Sequence, residues 1–381
     1  MIQPLGRTVL AAFVVCLLAL PASAQNRPVV PSDDSVGVRL GATVQGRFSA
    51  GYASLDDDDA RSRVGFGLRR IRLRVDADLA ERFGLHIQLE GAGTAPIITD
   101  TYGFYRLADG LRVRLGRMVV AQPRSLTLTS HAAIDAIDRA AIAEVWGAQT
   151  IDEGGRDFGI DLVYATNRTT LMAGLYNGDG SWSRARGNFR EGISDGAPTG
   201  TVDQTGLAAS VYGHHELTAL GGLELGGHAS FNAAENPNTA GRTYASYSAH
   251  AYWGAVPGSQ PIRLKADVVG VVYEEVPAAA TPDAVLDADG AQQTLGASLL
   301  GAVRMHPSTE IFGRIEQYTP NLNLDDREER YVTGGVSFSP SALMGERYRK
   351  VRITTAYSGL FPQADDLENR HLGMVQVQLV F

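Results

Sequence analysis

Lysine is almost missing from this chain. Lys265 and Lys350 are the only two among 381 residues. Positive charge is therefore carried by arginine, whose planar fork pairs with carboxylate or phosphate through two parallel hydrogen bonds. Cysteine is scarcer still: Cys16 is the only one, so no disulfide can brace the fold. Long apolar runs are absent beyond the first two dozen residues. This excludes a bundle of spanning helices, each of which needs about 20 apolar residues. Catalytic patterns are missing as well. His86, His214, His215, His228, His250 and His371 are scattered without H-x-x-x-H spacing, and the adjacent His214 and His215 point to opposite faces of a strand. There is no Gly-rich phosphate loop and no nucleophile elbow. No enzyme activity, cofactor, metal or nucleic-acid partner is expected of a chain with formal charge -8.

What is present begins with an export signal. In residues 1–24, Arg7 is the only charge, Val9 to Leu20 form an apolar core, and Ala22-Ser23-Ala24 is a cleavage site. Cys16 lies inside that core behind Val15, which is too large for a lipoprotein attachment site. Residues 25–36 read as a short periplasmic segment, and 37–381 as one domain.

That domain alternates. From Leu68 to Leu79, Arg70, Arg72, Arg74, Asp76 and Asp78 share one face, while Ile71, Leu73, Val75, Ala77 and Leu79 share the other. The final residues repeat the pattern: Val375, Val377, Leu379 and Phe381 oppose Gln376 and Gln378, as expected of a barrel's closing strand. About 16 such segments occur, which predicts an all-β transmembrane antiparallel barrel. Half of each strand would face water, and the mean hydropathy of -0.09 fits that arrangement. Connections alternate as well. Short ones (80–82, 108–110, 166–168, 256–258, 306–308) are expected in the periplasm. Long ones (53–63, 119–157, 178–202, 275–292, 319–330) are expected outside. No 40-residue repeat suggests a propeller or solenoid.

A barrel of this size encloses an aqueous channel. Its longest loop, 119–157, is expected to fold inward as a constriction, with a short helix within Ala132 to Trp146. Arginines mark the expected lumen wall: Arg39 and Arg47 on the first strand, Arg70, Arg72 and Arg74 on the second, and Arg112 and Arg114 on the fifth. Arg124 and Arg139 on the loop join them. Two readings stay open, namely an anion-selective ring or a wall braced by Asp76, Asp78, Glu90, Asp135 and Asp138. The run Asp56 to Asp59 reads as a solvated external loop.

These residues resemble the phosphate-selective porin O and P family. The resemblance is carried by Leu68-Arg69-Arg70-Ile71-Arg72-Leu73-Arg74-Val75-Asp76-Ala77-Asp78-Leu79, Val113-Arg114-Leu115-Gly116-Arg117-Met118 with Pro123, Ile137-Asp138-Arg139 and Gly155-Arg156-Asp157-Phe158-Gly159. It implies a 16-stranded, trimeric outer-membrane channel with the third external loop in the pore, set among lipid and lipopolysaccharide. Members known for phosphate uptake carry a lysine cluster at the constriction; here Arg124 and Arg139 are the candidates for that charge. The expected role is passive diffusion of small hydrophilic solutes, biased toward anions. A non-selective porin and a structural or adhesive barrel with an occluded lumen are the alternatives.

Overall fold

The computed structural model describes residues 37–381 apart from 55–60, 94, 152–153, 181–205, 235–240, 276–284, 288 and 365–366. The expected signal sequence, the 25–36 segment and Asp56 to Asp59 lie outside the described residues.

Sixteen antiparallel strands form one closed barrel in which each strand pairs with its sequence neighbours, and β1 (Gly37–Ser54) closes on β16 (Asn369–Val380). Between them run β2 (Arg61–Asp78), β3 (Phe83–Glu90), β4 (Ile97–Ala108), β5 (Leu111–Val119), β6 (Arg156–Ala165), β7 (Thr169–Tyr176) and β8 (Ala208–Leu217). The other wall holds β9 (Leu223–Asn232), β10 (Tyr244–Trp253), β11 (Ile262–Tyr273), β12 (Gln293–His306), β13 (Thr309–Thr319), β14 (Glu329–Phe338) and β15 (Val351–Pro362). Every segment expected to be a strand contains one. Boundaries differ most at β2, which begins at Arg61 rather than Leu68, and at β8, which begins at Ala208 rather than residue 203. β15 starts at Val351, after a helical turn (Pro340–Leu343) capped by the Ser339 side chain.

Alternation places apolar side chains outside. Leu115, Ile160, Leu162, Leu171, Leu175 and Val211 are exposed on the outer face, while Arg114, Asp161, Gln376 and Gln378 turn inward and are buried. The register breaks once near the middle of the first hairpin. Leu68 pairs with Gly46 and Arg70 with Gln45, so Arg69 is the extra residue of a β-bulge. Below it the even residues of β2 point inward. Above it Val64, Phe66 and Leu68 point outward, and Phe66 stacks on Phe48 with centroids 4.9 Å apart.

Gly116 sets another close approach. Its φ is +136°, and a Cβ there would lie 2.3 Å from the Thr101 carbonyl oxygen. Gly116→Ala is therefore expected to lower the unfolding free energy by about 1–3 kcal/mol, seen as a lower urea midpoint for the folded band on a gel. Gly313→Ala, whose new methyl would meet only the Thr333 oxygen at 3.9 Å, should barely move that midpoint.

Candidate functional site

The connection between β5 and β6 turns into the barrel and crosses it. It starts with an irregular turn, Arg124–Leu128, continues through a single 3-10 turn, His131–Ala133, and ends in helix α1 (Ala141–Ala148). The helix begins later than the pattern over Ala132 to Trp146 suggested, because 134–140 is spent reaching the far wall. Ile142, Ala143 and Trp146 of α1 pack with Leu126 on Tyr244, Val269, Val271, Tyr273 and Tyr318. Ala136 and Ile137 pack on Leu300, Ala302, Phe312, Ala356 and Met374.

Polar contacts lock this apolar seat. Asp135 accepts from Lys265 Nζ at 2.6 Å and from Arg263, which also binds Glu310 with Nε to Oε2 at 3.0 Å. Arg352 donates to the Ile134 carbonyl at 2.7 Å, and Arg314 to that of Arg139 at 2.9 Å. The Ile142 N–H reaches Glu316 at 3.3 Å. Gln149 and Tyr318 are 2.7 Å apart, and Gln378 donates to the Ala132 carbonyl at 3.3 Å. Burial alone would raise the Asp135 pKa, but Lys265 and Arg263 hold it below the usual carboxylate value.

The nine arginines singled out from the sequence fall into different roles. Arg47 binds Asp138 of the loop at 2.6 Å, and Arg72 donates to His131 Nδ1 at 3.0 Å while pairing with Glu90 at 2.7 Å. Arg124 meets Glu224 of β9 at 2.8 Å. Arg139 is buried and donates to the carbonyls of Leu126 and Thr129, so it ties the loop to itself. Arg114 is bound to Asp161 at 2.8 Å. Arg39 pairs with Asp78 at 2.8 Å and Arg74 with Asp76 at 3.1 Å, both near the short-turn end. Arg70 has Gln45 Oε1 at 3.3 Å and no carboxylate within ion-pair distance among the described residues. Arg112 stands over the Phe104 ring.

Sequence reading missed several cations. Arg263, Lys265, Arg314 and Arg352 line the opposite wall. The first two were visible in the alternation Arg263, Lys265, Asp267. Arg156 binds Asp100 at 2.9 Å. Arg69 lies 3.8 Å from Asp138, because the bulge turns two consecutive arginines inward; strict alternation puts Arg69 outside.

His131 records the resulting field. Burial, followed by the charges of Arg72, Arg70, Arg139 and Arg156, pushes its pKa down to about 2, so it stays neutral and accepts from Arg72 at Nδ1. Its Nε2 is buried without a partner among the described residues. Burial and then Arg70 lower Arg139 to about 9. Glu144 is raised by burial and then by Asp138. Four guanidinium groups thus converge on the loop between β2 and β6.

Asp135→Ala would leave Lys265 buried without its carboxylate, a loss of about 3–5 kcal/mol. The loop should leave the wall, which limited trypsin digestion would register as new cleavage after Arg139. The lowered pKa of His131 gives a pH dependence of definite sign. Between its ordinary 6.5 and about 2 the docked state binds fewer protons than the undocked one. Docking is strongest above pH 6.5 and weakens as pH falls through that window. The thermal midpoint of the native protein relative to His131→Gln should shrink accordingly.

The fold recurs among solved porins. An anion-selective porin from Comamonas acidovorans aligns with TM-score 0.62 at 16% identity, over 91% of this chain and 100% of its own. The outer membrane channel DcaP of Acinetobacter baumannii aligns with TM-score 0.59 at 12% identity, over 92% of this chain and 99% of its own. A trimer form of the outer membrane protein OmpT of Vibrio cholerae aligns with TM-score 0.58 at 12% identity, over 91% of this chain and 100% of its own. No curated protein matches the chain. The phosphate-selective porin O and P family matches residues 42–259, more than half of the sequence, and the chain belongs to that family of outer-membrane porins.

Proposed function

We propose that this porin passes small hydrophilic anions by diffusion past the docked loop. The observation that carries the reading is the cluster of Arg70, Arg72, Arg139 and Arg156 around His131. Two of its members, Arg72 and Arg156, are matched by Glu90 and Asp100. Among the described residues Arg70 has only an amide oxygen and Arg139 only carbonyls, so net positive charge remains where the loop crosses. A pore wall with uncompensated guanidinium groups lowers the barrier for anions and raises it for cations. The resemblance to an anion-selective porin supports the same reading.

Several further points belong to this proposal. The short connections face the periplasm and the long ones the exterior. Residues 1–24 direct export and are removed, 25–36 lie in the periplasm, and 119–157 acts as the constriction. The protein works as a homotrimer, as the trimer form of a neighbour suggests, with its outer face in lipid and lipopolysaccharide. Its solutes are oxyanions of phosphate size, held briefly by arginine forks rather than by a lysine cluster.

Bilayer recordings under a chloride salt gradient test the reading. The native pore should show a reversal potential on the anion side, and Arg70→Gln should move it toward zero. A cation-side potential for the native pore, or no shift in the variant, would sink the anion assignment.

A further inference from the structure

Among the nine arginines, Arg112 alone makes neither a hydrogen bond nor an ion pair with the described residues. It sits on β5 two residues from Arg114, toward the turn at Asp109 and Gly110. Its guanidinium carbon stands 5.8 Å from the centroid of Phe104, and that of Arg106 stands 4.9 Å from the same ring. An aromatic ring on the inner face of an aqueous pore calls for a reason. The wall has been cleared for it: a Cβ on Gly84 would lie 2.1 Å from Phe104 Cζ, so only glycine lets the ring lie there.

Beside these groups is a cavity of about 380 Å³, within the roughly 300–1,000 Å³ range of small-molecule sites. Its lining is divided. Arg82, Arg106 and Arg112 supply guanidinium groups, and Leu107, Leu111 and Ala165 supply apolar surface. Glu81 and Asp109 also border it. Arg106 is already answered by Asp78, and one of its nitrogens donates to the Glu81 carbonyl at 2.9 Å. The open cation is Arg112.

We propose that this cavity is a periplasmic exit site for carboxylates bearing an apolar or aromatic body. The carboxylate takes the Arg112 fork, and the body covers the apolar lining that Leu107, Leu111 and Ala165 supply. Inorganic phosphate and acetate gain only the first contact. The inference rests on the anion reading above and names a solute class for it.

Benzoate and acetate serve as probes against chloride current in bilayers. Benzoate added on the periplasmic side should reduce the current at a concentration about tenfold lower than acetate, and less effectively when added outside. Arg112→Gln should raise the benzoate concentration needed about tenfold. Arg112→Lys should fall between, because a point charge lacks the fork. Should Arg112→Gln fail to give a folded band, Leu111→Ser offers the same test through loss of the benzoate advantage. Equal action of benzoate and acetate on the native pore, or an unchanged benzoate response in a folded Arg112→Gln, overturns the proposal while leaving anion selectivity standing. A native pore without anion preference overturns both.

Discussion

A carboxylate held inside the barrel between an arginine and a lysine decides where the longest loop goes. Asp135 is buried and so are Arg263, Lys265 and Glu310. A buried charge is stable only when its partners are in place, so the arrangement is close to all-or-none. With Asp135 docked, Arg352 reaches Ile134, Arg314 reaches Arg139, and the apolar side chains of α1 settle on the tyrosine-rich wall. The interior of a 16-stranded barrel is too wide for strand side chains alone to fill. Here the loop crosses that interior and is tied to strands on both sides of it.

The contacts of the loop differ around the wall. On the docked side, cations are consumed by the loop: Arg263 and Lys265 by Asp135, Arg314 and Arg352 by backbone carbonyls. On the side of β1, β2 and β6, Arg47 and Arg72 reach the loop at Asp138 and His131, and Arg156 is paired with Asp100. Neutral His131 lies among them as an acceptor that adds no charge. Arginine thus braces the loop from both walls. Of the two readings left open by the sequence, the braced wall is seen where Arg263 and Lys265 hold Asp135, while anion attraction by the arginines of β2 and β6 is the proposal.

Much of the fold was legible because alternation and connection length are local signals. Every expected strand is present, and Gln376 and Gln378 do face inward beside Arg47, which lies 3.3 Å from Gln376. The site was harder to read. Arg139 looked like constriction charge, yet its fork is spent on carbonyls of its own loop, a contact set by chain folding rather than spacing. Arg263 and Lys265 were overlooked because their partner, Asp135, is 128 and 130 residues away. Arg69 was hidden by a single extra residue in the ladder, which no periodicity can register.

That extra residue divides the first hairpin into two zones of opposite parity. A strand that kept strict period two from Arg61 to Asp78 could keep only one of two things: the outward Val64, Phe66 and Leu68 above, or the inward arginines below. The bulge reconciles them. It also makes the length of β2 a coded quantity: removing one residue there would turn one end of the hairpin inside out, with phenylalanine toward water or arginine toward lipid. The barrel's tolerance for insertions and deletions therefore ends abruptly at the wall, where a single position separates a pore lining from a membrane face.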